Sequence, residues 1–268
     1  MNLLKRTATA AVLLGALFLV VQYAPNGVFF ISAQVFIIAA LLEFYSLALR
    51  KDLHPQKVLG VGLTLLVGLP FFLRAVPLEA ALFGGLLAAM VYFIVSVNSA
   101  EKLDRFPAAF AVTLAGVLYV GFTLDFLYLV RLDFGPFPLY FLFAVVFLGD
   151  TGAFFIGKPF GRHKMTPIAS PNKSWEGSAG GILFALGGAA LARWVFKLDI
   201  PLGAALLTAA VVHAAAQVSD PMESLFKRAV GVKDSSNALP GHGGFLDRID
   251  SLILAGPLFY FIVRHFWR

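Results

Sequence analysis

Residues 217–250, QVSDPMESLFKRAVGVKDSSNALPGHGGFLDRID, carry nine charged side chains in 34 positions, in a chain that is 13% charged and 59% hydrophobic. Asp220, Glu223, Asp247 and Asp250 are carboxylates able to hold a hard cation, and Lys227, Arg228, Lys233 and Arg248 are cations suited to phosphate. Charge at this density beside apolar runs is costly unless it meets opposite charge, which points to a substrate made of phosphates. Asp247 and Asp250 are three apart and directly precede an apolar run, so a helix starting there sets both on one face. Asp220 stands at the mouth of the preceding run. Magnesium favours a few carboxylates completed by phosphate oxygens and water, and Asp220, Asp247 and Asp250 are the expected set. Paired with Arg248, Arg228 and Lys227, the same carboxylates would instead form an interfacial charge belt. Glu223 and Lys227, four apart with the acid first, read as a simple helical pair. The PGHGG turn (240–244) lets backbone N–H groups approach a phosphate, and its His242 serves either as donor or proton carrier, or as a turn stabiliser.

A second constellation is 150–177, DTGAFFIGKPFGRHKMTPIASPNKSWEG. Asp150 interrupts an apolar run roughly 10 Å from its end at ~1.5 Å per residue, where a carboxylate costs about 3 kcal/mol to insert. His213 lies at a similar depth and is either its partner or a packed histidine. Arg162, His163 and Lys164 form a basic cluster. Ser170, Asn172, Lys173 and Ser174 offer polar contacts, and Trp175 is either a belt aromatic or the wall of a nucleotide pocket. Glu43 and Asp125 also fall inside apolar runs, with no neighbouring pattern to give them a role.

These groups must be positioned by membrane spans. A mean hydropathy of +0.84 is too high for a soluble domain, and apolar windows recur at 7–24, 28–49, 58–77, 78–97, 106–130, 137–157, 178–196, 201–218 and 251–267. The expectation is an all-α polytopic membrane protein of about nine transmembrane helices, with a polar pocket at the cytoplasmic membrane interface. It forms one integral domain over 1–268, in which 1–135 is mainly scaffold and 136–268 carries the site. The first span is expected to remain in the membrane, because no small-residue cleavage site precedes a soluble domain. The glycines of 177–188 suit close helix packing; a nucleotide-binding glycine loop would need a strand–turn–helix setting. With no cysteine, thiolate chemistry and disulfides are excluded. A cytoplasmic N-terminus places fifteen Lys and Arg on the cytoplasmic side and six outside, although eight of the fifteen lie in the two candidate substrate loops. Two spans separate those loops, so both emerge on one face.

The two constellations resemble the phosphatidate cytidylyltransferases, or CDP-diacylglycerol synthases. The family signature is matched by Ser224, Phe226, Lys227-Arg228, Lys233-Asp234, Ser236, Leu239, Pro240, His242-Gly243-Gly244, Asp247-Arg248 and Ile249-Asp250, and a family segment by SPNKSWEG (170–177). The resemblance covers the C-terminal half, while the first five spans match only in being apolar. Ser219 departs from the usual glycine, and its hydroxymethyl is expected to crowd the metal site slightly. The resemblance implies CTP + phosphatidic acid → CDP-diacylglycerol + pyrophosphate, with Mg2+ and room for a second monovalent or divalent cation. It assigns Asp220, Asp247 and Asp250 to metal and Lys173, Lys227, Arg228, Lys233 and Arg248 to phosphates. Ser174, Ser224, His242 and Asp150 are further substrate contacts. Expected partners are CTP, phosphatidic acid and the bilayer, with no nucleic acid, and the small-residue spans suit a homodimer. The expected location is the bacterial inner membrane, with the site facing the cytoplasm. A CTP-dependent lipid kinase of the dolichol-kinase kind resembles the same superfamily. A transporter of phosphorylated lipid or nucleotide would use the same charges without chemistry. A CDP-alcohol phosphotransferase lacks support because its Asp-Gly … Ala-Arg … Gly … Asp … Asp motif is absent.

Overall fold

The computed structural model describes residues 3–239, 241 and 243–267; His242 lies outside them. Apolar runs far from water satisfy their backbone groups by forming helices, and the expected spans lie on helical segments, the 106–130 window across two helices and the π-turn between them. The helices are α1 (Leu3–Tyr23), α2 (Asn26–Leu49), α3 (Lys57–Phe72), α4 (Leu78–Ser96), α5 (Ala100–Gly116) and α6 (Thr123–Phe134), followed by α7 (Pro136–Phe160), α8 (Trp175–Val195), α9 (Leu202–Ala229), α10 (Leu246–Ile249) and α11 (Leu252–Phe266). A π-helical turn, Val117–Phe122, joins α5 to α6. Among the described residues, six stretches are long and apolar enough to cross a membrane: α2, α4, the continuous Ala100–Phe134, α7, α8 and α9. This is an integral, predominantly helical membrane protein. Helices α3 and α11 coincide with expected spans but have 16 and 15 residues, short of the ~20 that cross unaided.

The expected all-α character holds, with one small addition: β1 (Lys164–Thr166) and β2 (Ser170–Ser174) form an antiparallel hairpin with Lys164 opposite Ser174. One expectation needs correction, since the loop does not begin at 219. Helix α9 runs eleven residues further, to Ala229, through Pro221, so Asp220, Glu223, Ser224, Lys227 and Arg228 all ride on it.

The packing forms two compact units. The first comprises Met1–Tyr128 with Ala229–Arg248, so the signature loop belongs with the N-terminal helices. Tyr45 of α2 organises its interior: the hydroxyl donates to Thr113 O at 2.7 Å. Cβ atoms added at Gly60 and Gly116 would stand 2.2 and 2.4 Å from the Tyr45 side chain, so only glycine lets α3 and α5 close on it. Asp125, which lacked an assigned role, is fully buried and accepts from Gln34 Nε2 at 2.6 Å.

The second unit comprises Leu129–Arg228 with Ile249–Arg268. Here α7 and α8 approach until Gly157 and Gly177 nearly touch, and a Cβ at Gly177 would lie 2.9 Å from Ala153 O. The glycine-rich run therefore serves helix packing. Helix α9 joins α8 through Gln217: Ser178 Oγ donates to its Oε1, and its Nε2 donates to Ser178 O. The buried His213 ring packs against Gly149 and Gly181, so no hydrogen bond links it to Asp150.

Candidate active site

The SPNKSWEG run is a strand followed by a helix start. Ser174 is the N-cap of α8, and its Oγ accepts from Gly177 N at 3.1 Å, which satisfies one of the free N–H groups of the first turn. Glu176 accepts from Arg162 N at 3.1 Å, from His163 N and from His163 Nδ1 at 2.5 Å. The hairpin is thereby tied at both ends, so the one basic side chain of β2 is held in a defined place. That side chain is Lys173, whose Nζ pairs with Asp220 Oδ2 at 2.6 Å. Arg228 Nε donates to Ala169 O at 3.3 Å, a second tie from α9 to the hairpin. The two sequence constellations thus meet within the second unit.

Around this pair lie Asp150 and Asp250. Ser251 stands between them: its Oγ is 3.2 Å from Asp150 Oδ2, and its N–H donates to Asp250 Oδ1 at 2.7 Å. The Asp250 carboxyl is held well above the ordinary carboxylate range, first by desolvation and then by the negative charges of Asp220 and Glu223. Ser224 Oγ lies 3.4 Å from Asp220 Oδ1, one helical turn away. Ser219 Oγ donates to the backbone O of Asp250. The extra hydroxymethyl therefore joins α9 to the residue preceding α11, and it is a bond where crowding was expected. Glu223 and Lys227 form the expected i,i+4 pair, with Glu223 fully buried and Lys227 7% exposed. Trp175 is 60% exposed.

The remaining signature residues sit in the first unit. Asp247 Oδ2 accepts from Ser235 N at 2.9 Å, Ser235 Oγ at 2.8 Å and Gly244 N at 2.8 Å. Lys233 and Arg248 are exposed. Sequence reasoning missed Glu43, the residue that anchors this loop. Its Oε1 accepts from Ser236 Oγ at 2.6 Å and Phe245 N at 3.0 Å, and its Oε2 from Leu246 N at 2.8 Å; Ser235 Oγ lies 2.9 Å from Oε2 and shares its single proton between Glu43 and Asp247. The available signal was a lone carboxylate in an apolar run, which is costly without partners.

Among the described residues, no three His, Asp or Glu side chains group closely enough to hold a metal ion by themselves. The fit to magnesium is therefore a fit to a shared site. Asp220 and Asp250 influence each other electrostatically, have few donors, and would be completed by phosphate oxygens, as magnesium prefers.

Residues 4–266 match the model of the cytidylyltransferase family. The chain belongs to that family. Curated relatives carry the name phosphatidate cytidylyltransferase. That of Bacillus subtilis strain 168 is 39% identical over 191 residues, covering 70% of this chain and 69% of the relative. Those of Staphylococcus aureus strain COL and Staphylococcus epidermidis strain RP62A are 34% and 33% identical, each over 94% of this chain and 96% of the relative. This cytidylyltransferase is thus a nucleotidyltransferase, and its similarity reaches through the N-terminal helices that the signature does not cover.

Proposed function

We propose that this enzyme joins CTP to phosphatidic acid, yielding CDP-diacylglycerol and pyrophosphate. A lipid phosphate oxygen attacks the α-phosphorus of CTP, the bond from that phosphorus to the β-phosphate's bridging oxygen breaks, and pyrophosphate leaves in line. The attacking phosphate is already largely ionised near neutral pH, so no strong general base is needed. The barrier lies in bringing two polyanions together. The observation that carries this reading is the 2.6 Å pair of Lys173 and Asp220 beside Asp250 and Asp150. It supports a reading in which Lys173 would meet phosphate and the neighbouring carboxylates would meet a metal ion.

In this reading Lys173 and Arg228 take phosphate oxygens, and the buried Lys227–Glu223 pair sets the charge around Asp250. Lys233 and Arg248 serve phosphates as exposed cations of their own unit. Asp220 and Asp250 would hold magnesium, which when bound neutralises phosphate charge and steadies the leaving pyrophosphate. Asp247 is assigned to loop shape. We further propose nine spans in all, an inner-membrane location with the site on the cytoplasmic side, and a homodimer packed through small-residue faces.

The test uses purified protein, phosphatidic acid, magnesium and CTP labelled at the α- or γ-phosphate. Label from the α-position should enter lipid, and label from the γ-position should leave as pyrophosphate. Transfer of γ-label to lipid would assign a lipid kinase. No transfer of either label, with CTP or phosphatidate still bound, would assign a carrier.

A further inference from the structure

We propose that Glu43 is a positioning residue for cytidylyl transfer, acting through the signature loop; the inference rests on the reaction proposed above. Glu43 lies on α2, outside every motif, and is 8% exposed. Its two carboxylate oxygens face four donor groups, two hydroxyls and two peptide N–H groups, from residues 235–246. Phe245 and Leu246 N–H are turned toward it, and Leu246 opens the short α10 that carries Asp247 and Arg248.

The hydroxyl of Ser235 links the two carboxylates of the loop. It stands 2.9 Å from Glu43 Oε2 and 2.8 Å from Asp247 Oδ2. Gly244 is pressed into the same knot. A Cβ there would fall 2.1 Å from Ser235 Oγ and 2.3 Å from Glu43 Oε2, so the second glycine of the Gly-Gly pair is required by Glu43. Gly243 adopts a φ of +78° that side chains rarely take. The turn is thus shaped from outside the signature, by a side chain that meets neither CTP nor lipid in this reading.

A carboxylate is the group that fits. It offers lone pairs only, and every neighbour donates. Glutamine has the same shape but turns an NH2 toward two of the four donors, so Glu43→Gln breaks about half of the anchor while leaving the volume filled.

The experiment compares wild type, Glu43→Gln and Ser236→Ala as full-length protein in one detergent. It reads kcat and KM for CTP, the unfolding temperature, and amide hydrogen exchange at Phe245 and Leu246. The expected result for Glu43→Gln is a fall in kcat of about 10- to 100-fold, an order expected for lost positioning. Exchange at 245 and 246 should quicken about tenfold or more, while the protein stays folded at the assay temperature. Ser236→Ala, which removes one donor and keeps the chain folded, should reproduce a smaller share of both effects. Unchanged exchange in Glu43→Gln would overturn the proposal. So would faster exchange with wild-type turnover, or a loss of turnover matched by unfolding with no effect from Ser236→Ala. If wild type itself releases no pyrophosphate, the reaction is wrong, and exchange at the two amides still decides whether Glu43 holds the loop.

Discussion

Two groups of carboxylates in this chain meet opposite supplies of donors. In the first unit, Glu43 and Asp247 are surrounded: three donors serve Glu43 alone, two reach a single oxygen of Asp247, and the Ser235 hydroxyl is shared between them. In the second unit, Asp150, Asp220 and Asp250 share Lys173 and the hydroxyls of Ser224 and Ser251, and they press on one another electrostatically. A carboxylate whose two oxygens both meet donors, as at Glu43, has little left for a ligand. One that the fold holds near like charge with few donors, as at Asp250, keeps that capacity.

The largest test of this contrast is Asp250→Asn. Turnover should fall by about a thousandfold or more, an order typical of lost charge stabilisation, while the unfolding temperature holds or rises as repulsion with Asp220 and Glu223 is relieved. A parallel drop in both would make the cluster structural and erase the distinction. Lys173→Met should follow, with about a hundredfold loss in kcat/KM for CTP and a weaker loss for Lys173→Arg. Equal losses in the two variants would mean that the ammonium's geometry, and not its charge, is what matters.

Asp247→Asn should behave in the opposite way to Asp250→Asn. It should lose stability by about 1–3 kcal/mol, as expected for disrupted buried donors, and leave the half-saturating magnesium concentration unchanged. A raised magnesium requirement would move Asp247 from the loop to the ion. The pH dependence of stability separates the groups again. Because the Asp250 pKa is raised on folding, the folded protein keeps that proton to higher pH than the unfolded chain. Stability is therefore highest below the ordinary carboxylate range, falls as pH rises from about 4 through the folded pKa, and stays lower above it. The unfolding temperature without magnesium should rise as pH is lowered from 8 towards 5, and Asp250→Asn should flatten that slope. The smallest effect is expected at Ser219→Gly, about 1 kcal/mol of stability for one hydrogen bond and turnover within twofold.

Much of this could be read from the residues. Apolar windows located the helices because a membrane leaves the backbone few alternatives, and clustered charge singled out Asp220 and Lys173, which the fold pairs at 2.6 Å. What escaped were groups whose partners are remote. Glu43 finds its donors 192 to 203 positions away, and Asp125 finds Gln34 91 positions away. No local period carries such pairings. The hairpin escaped for a different reason, since strands of three and five residues around Pro171 lack a repeating pattern. Helix α9 outran its expected end because six of its last eleven residues are polar or charged, which ends the apolar run without ending the helix.

The placement of Ala229–Arg248 with the first unit also constrains the order of biogenesis. Glu43 is synthesised early and inserted with α2, yet its donors leave the ribosome only after α9. The first unit cannot finish folding until nearly the whole polypeptide has been made. A buried acid waiting that long is a natural handle for membrane quality control, and truncations within the signature should strand it there for a protease to find.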